Sequence, residues 1–110
     1  MKKSALLPLA FVVVLGGCAS LDTLAPPVSP ALLRASRGAS SGTLENGRLI
    51  LTTRCASCHR VYPVADYPSA EWKTILDDMS PRAKLNAAQN AAVLAYLNAA
   101  LDLPPTPPAR

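Results

Sequence analysis

The pentapeptide Cys55-Ala56-Ser57-Cys58-His59 decides how this chain folds. On a helical turn, residues three and four apart share a face, so the two thiols and the imidazole can point to the same side. The candidate domain around this motif, residues 43–103, has roughly sixty residues, and a core of that size is marginal without a disulfide, a metal or a large cofactor. The pentapeptide therefore predicts the group around which the domain is built.

The C-x-x-C-H spacing is the attachment signature of c-type haem. The thiols of Cys55 and Cys58 would form thioethers with the two haem vinyl groups, and His59 would be the proximal iron ligand. A thioredoxin-like pair needs a βαβ setting, a zinc site needs a fourth ligand, and a plain disulfide leaves the histidine unexplained. We therefore expect one haem c per chain.

Apolar residues recur at helical spacing in three segments, and no segment alternates like a strand over a useful length. Composition agrees, because only 5% of the 110 residues are aromatic and the chain is rich in Ala and Leu. Asn86, with Gln89 three residues later, is typical of a capping box. The predicted helices, each written from its capping residue, are Thr43 to about Arg54, Ser69 to the stop at Ser80-Pro81, and Asn86 to about Leu101. The sequence thus predicts an all-α domain.

The second axial ligand follows by elimination, because His59 is the only histidine in the chain. Met79, at the end of the second predicted helix, is the probable distal ligand, since Met1 lies in a segment predicted to be removed. Two alternatives stay open at this point. Met79 can simply complete the apolar stripe that begins at Trp72, and Lys73, Lys84 or an open position can take its place.

The N-terminus has the pattern of an export signal. Two lysines precede an uncharged apolar stretch, residues 5–17, which is too short to span a bilayer as a helix. Leu15-Gly16-Gly17-Cys18 resembles the lipobox of bacterial lipoproteins. That resemblance implies removal of residues 1–17, lipidation of Cys18 and a membrane anchor facing the periplasm, and Ala19 favours the outer membrane. The alternative is an ordinary signal peptide with an incidental cysteine.

The remaining segments are predicted to be a flexible linker over residues 18–42 and a Pro-rich tail over residues 104–110. Removal of residues 1–17 takes away two of the eleven Lys and Arg, leaving nine against seven Asp and Glu, so the net charge falls from +4 to +2. The basic residues are scattered without interleaved aromatics, which argues against a nucleic-acid partner.

Residues 47–101 resemble a small class I (monohaem) cytochrome c. The resemblance is carried by Gly47, the haem motif, a W-x6-M pattern from Trp72 to Met79, and Tyr96-Leu97 in the last helix. It implies a three-helix domain wrapped around the haem.

In that family the first and last helices cross closely where a glycine meets an aromatic residue. Gly47 and Leu51 are therefore expected to lie against Tyr96-Leu97. The resemblance also implies that the carbonyl of Pro63 orients the proximal histidine and that Trp72 packs on or near the haem edge.

A haem with two strong axial ligands can pass an electron but offers no free position for a substrate. No Ser/His/Asp set, paired carboxylates or phosphate-binding loop indicates other chemistry. We therefore predict an electron carrier rather than an enzyme, which exchanges electrons with redox proteins, with Arg54, Arg60 and Lys73 contributing positive charge near the haem edge. A haem subunit of an oxidoreductase complex, or a gas sensor with a displaceable distal ligand, remains an alternative.

Overall fold

The structure is a computed structural model that describes residues 20–104. Within that range the fold is all-α, as predicted, with no strand. None of the helices described there is long and apolar enough to cross a bilayer. The predicted signal peptide, Cys18 and the tail beyond residue 104 lie outside the described residues. The helices are α1 (Leu21–Leu24), α2 (Pro30–Ala35), α3 (Ser41–Thr52), α4 (Ser69–Arg82) and α5 (Ala87–Leu101), with 3₁₀ turns at Cys55–Ser57 and Val64–Asp66.

The core is centred on the crossing of α3 and α5, where Tyr96 and Leu97 are fully buried. Gly47 is the point of closest approach: a Cβ atom built there would lie 2.7 Å from the carbonyl carbon of Ala92 and 2.9 Å from the Cβ of Tyr96. Only a residue without a side chain lets the helices come this close. The expected contact between Gly47 and Tyr96 is confirmed.

Helix α3 begins earlier than the sequence predicted. Its N-cap is Ser40, whose hydroxyl oxygen accepts a hydrogen bond from the N–H of Thr43 at 3.1 Å. The prediction of Thr43 as N-cap was therefore wrong; Thr43 lies in the first turn. Both residues are good caps, and the one that comes first satisfies the free N–H groups. The helix ends at Thr52, two residues before Arg54.

Helix α4 also differs at both ends. Its N-cap is Pro68 and makes no side-chain capping bond, while Ser69, the predicted cap, lies inside the helix and donates its hydroxyl hydrogen to the Oδ1 of Asn98 on α5. Pro81 does not stop the helix, which continues to Arg82. A proline near the end of a helix removes one donor but leaves the turn able to close.

The capping box of α5 is confirmed. The side chain of Asn86 accepts from the N–H of Gln89 at 2.8 Å, and the side chain of Gln89 accepts from the N–H of Asn86 at 2.9 Å. Two of the free donors at this helix start are thus satisfied locally.

Residues 20–39, here called the N-terminal strap, are folded rather than a flexible spacer as predicted. Ala25 and Leu32 in the strap are fully buried in the same core as α3 and α5. The strap carries no helical stripe because its buried residues are single side chains set between prolines. The predicted linker is corrected accordingly from Ser20 onward.

Side chains of α3 and α5 hold the backbone of the strap. The hydroxyl of Tyr96 donates to the carbonyl oxygen of Pro26 at 2.6 Å. Arg48 donates to the carbonyl oxygen of Ala25 at 3.0 Å and pairs with Asp22 at 2.8 Å. These bonds supply the partners that an irregular segment cannot find within itself.

Tyr96 gives the fold a dependence on alkaline pH. Burial raises the pKa of Tyr96 from 10.0 to about 12, partly offset by the positive charge of Arg48. The unfolded chain loses this proton near pH 10 and the folded chain only near pH 12, so the stability that Tyr96 contributes is lost across that window.

We expect Tyr96→Phe to be less stable than the parent at pH 8 by about 1 kcal/mol, through loss of the bond to Pro26. The difference between the two proteins should shrink as the pH rises towards 12. Urea unfolding of both proteins at pH 8, 10 and 12 measures it. A gap that stays constant over this range would contradict the assignment.

Candidate functional site

An apolar cavity opens between the haem motif and α4. It holds about 480 Å³ of space, part of it open to solvent, which is within the size of small-molecule and cofactor sites. Almost all of the lining is apolar. The lining residues are Leu51, Cys55, Ala56, His59, Val61, Tyr62, Trp72, Ile75, Leu76 and Met79.

The motif follows α3 directly and begins with the 3₁₀ turn Cys55–Ser57. Cys55 is half-buried and lines the cavity, and burial raises the pKa of its thiol while the neighbouring Arg54 lowers it. Cys58 is exposed and does not line the cavity. Both cysteines are free thiols, as haem attachment requires.

The His59 ring is held by its own neighbourhood. Its Nδ1 lies 2.7 Å from the carbonyl oxygen of Arg60, and its ring stacks at a tilt on Tyr62 with 4.9 Å between centroids. With the proton on Nδ1, this bond leaves Nε2 free as a metal ligand, the usual arrangement for a coordinating histidine. The carbonyl of Pro63, expected from the resemblance to orient His59, instead accepts from the N–H of Asp66 at 3.0 Å.

Trp72 and Met79 lie on the α4 face that lines the cavity. Trp72 is 3% exposed, and its indole N–H donates to the carbonyl oxygen of Val64 at 2.8 Å, which fixes the ring. Neither alternative distal ligand lines the cavity: Lys73 forms an ion pair with Asp77 at 3.0 Å, and Lys84 is exposed beyond the end of α4.

The residues present fit a haem. A covalently attached haem needs two thiols, a nitrogen ligand and a largely dry apolar surround, and a thioether is a common second ligand. Cys55, His59 and Met79 supply three of these donors from one cavity, and Cys58 adjoins it. Between residues 20 and 104, no group of three or more His, Cys, Asp and Glu side chains could hold a metal ion.

Arg54 has a role that the sequence did not reveal. It was predicted to add positive charge near the haem edge, but its Nη2 donates to the carbonyl oxygens of Ala83 and Lys84 at 2.8 and 2.7 Å. These acceptors follow α4 and lie 29 and 30 residues along the chain. Nothing in the local sequence of an arginine indicates so distant a partner.

Residues 51–102 match the family model described as dihaem cytochrome c. The matched segment, just under half of the chain, begins in the last turn of α3 and includes the motif, α4 and α5. The match supports a c-type cytochrome with a haem-based role in electron transfer. No curated protein and no solved structure matches the chain.

Proposed function

We propose, on the premise of a c-type cytochrome, that this chain is an exported, lipid-anchored carrier that passes single electrons between redox proteins. The observation that carries the proposal is that Cys55, His59, Trp72 and Met79, far apart in sequence, line one apolar cavity. Such a cavity suits a flat, largely apolar cofactor held by covalent bonds and by ligands from opposite sides.

The roles of the residues follow from their chemistry. Cys55 and Cys58 fix the cofactor covalently, and His59, held through Nδ1 by the carbonyl of Arg60, supplies the proximal nitrogen. Met79 supplies a soft thioether, which favours the reduced state and raises the reduction potential. The haem, when bound, supplies an iron that gains and loses one electron reversibly.

Partner proteins would meet the cofactor at the open side of the cavity. Tyr62 lines the cavity, stacks on His59 and is 38% exposed, and Cys58 and Arg60 nearby are also exposed. A small contact around an exposed edge is typical of transient redox encounters. We propose this rim as the place where electron donors and acceptors bind.

We propose one haem per chain, although the matching family is named for two. The chain contains one C-x-x-C-H motif, and its third cysteine, Cys18, stands alone in the lipobox-like sequence. His59 is the sole histidine, so a second haem would have neither a second pair of thiols nor a second imidazole.

The mature protein is expected to have the mass of the chain plus one covalently bound haem and to titrate as a one-electron couple. Intact-mass spectrometry and a spectroscopic redox titration measure these two properties. Cys55→Ser should prevent stable double attachment, whereas Ser57→Ala, in the same turn, should leave the mass addition unchanged. A chain without haem and with both thiols free, or one with two haems, would contradict the proposal.

The membrane anchor can be tested through Cys18. We expect the protein with its own residues 1–18 to sediment with membranes. A variant with an ordinary cleavable signal peptide and Cys18→Ser is expected in the soluble periplasmic fraction with an unchanged haem spectrum. Fractionation followed by haem staining makes the comparison. Equal distribution of the two proteins would rule out lipidation as the anchor.

A further inference from the structure

We propose that Arg54 is a positioning residue that holds the end of α4 so that Met79 stays at the cavity. This inference rests on the proposed ligation by His59 and Met79. Arg54 immediately precedes Cys55, so one side chain connects the haem motif to the helix that carries the distal ligand.

The last turn of α4 is closed by a Schellman motif. Lys84 adopts the left-handed conformation with φ 55°, which turns the chain away from the helix axis. The closing bonds run from Ala83 N–H to Met79 C=O at 2.9 Å, from Lys84 N–H to Pro81 C=O at 3.2 Å, and from Leu85 N–H to Ser80 C=O at 2.9 Å. This motif satisfies carbonyls within the helix, and Arg54 binds the two that follow.

The Ala83 peptide joins Arg54 to Met79 directly. Its N–H donates to the carbonyl of Met79, and its C=O accepts from Arg54 at 2.8 Å. A guanidinium at a helix C-terminus also meets the negative end of the helix dipole, and charge-assisted bonds are stronger than neutral ones. The path from the haem motif to the distal ligand therefore crosses only two hydrogen bonds.

The last turn of α4 depends on such outside support. Pro81 has no N–H to donate to the carbonyl of Asp77, so one helical bond is missing beside Met79. On the side of α5, Ser80 donates its hydroxyl hydrogen to the Oδ1 of Asn90. On the side of the motif, Arg54 holds the turn.

Loss of Arg54 should therefore increase the fraction of molecules in which Met79 has left the cavity. A ligand from solution binds only to that fraction, so its apparent affinity rises in proportion. Two charge-assisted bonds correspond to an increase of about tenfold to a hundredfold.

The test measures imidazole binding to the oxidised holoprotein by optical titration. Arg54→Ala should bind imidazole about tenfold to a hundredfold more tightly than the parent, and Arg54→Lys, which keeps the charge but not the fork of donors, should be intermediate. Arg48→Ala is the matched control, because Arg48 also bridges two segments from α3 but binds the strap. It should lose stability with no change in imidazole affinity.

Imidazole affinity in Arg54→Ala equal to that in Arg48→Ala would overturn the proposal. If Arg54→Ala does not accumulate, the same comparison is made with Arg54→Lys, whose unchanged affinity would overturn it equally. Met79→Ala separates the two levels of inference. If Met79→Ala binds imidazole like the parent, the proposed ligation fails; if it binds tightly while the Arg54 variants do not, only the role of Arg54 fails.

Discussion

Met79→Ala is expected to change the protein from an electron carrier into a ligand binder. The variant lacks the thioether at the cavity, so its reduced form should bind carbon monoxide rapidly while the parent binds it slowly or not at all. The reduction potential should fall by on the order of 100 mV, a fraction of the ~0.8 V over which axial ligands set haem potentials. Optical spectra of both oxidation states, with and without carbon monoxide, measure the effect.

The controls for Met79 are the two lysines that the sequence left as alternatives. Lys73→Ala and Lys84→Ala should leave spectra and potential close to those of the parent, because neither side chain lines the cavity. Rapid carbon monoxide binding by the parent, with spectra unaffected by Met79→Ala, would favour a gas sensor over a carrier.

Gly47→Ala is expected to cause the largest loss of stability of any single methyl group added to this chain. The new Cβ would lie 2.7 and 2.9 Å from atoms of Ala92 and Tyr96, and part of the obstruction is backbone that cannot rotate away. Overpacking of this kind costs about 3 kcal/mol, more than the ~1 kcal/mol gained in helix propensity. For a domain of this size the melting temperature should fall by on the order of 15 °C.

Gly42→Ala is the matched control for Gly47. It lies on the same helix, and a Cβ there would meet nothing within 4 Å. It should raise the free energy of unfolding by about 0.5–1 kcal/mol, because alanine restricts the unfolded chain. Urea unfolding of the holoproteins gives both values, and equal effects at the two positions would contradict close packing at Gly47.

The features predicted well from sequence are those whose signals are local. The capping box of Asn86 and Gln89 lies within four residues, and the haem motif lies within five. The contact of Gly47 with Tyr96 is long-range, and it came from the resemblance rather than from the spacing of apolar residues. Helix ends were less accurate, as at Ser40 and Thr43, where two good caps three residues apart compete.

The features missed depend on partners distant in the chain. Tyr96 donates to Pro26 across 70 residues, and Arg54 donates to Lys84 across 30. Neither residue type nor spacing predicts such pairs, because they form only once α3 and α5 have packed. The strap was read as a spacer for that reason: its proline-rich composition is typical of linkers, and its partners are elsewhere.

The folded strap sets how far the carrier can stand from a membrane. At about 3.6 Å per extended residue, the 24 residues of a flexible linker from Cys18 to Gly42 would reach about 86 Å, whereas the seven from Cys18 to the buried Ala25 reach about 25 Å at most. Under the proposed lipidation, the domain would diffuse in two dimensions close above the lipid surface. Its electron donors and acceptors must then present their own redox centres within that shallow layer.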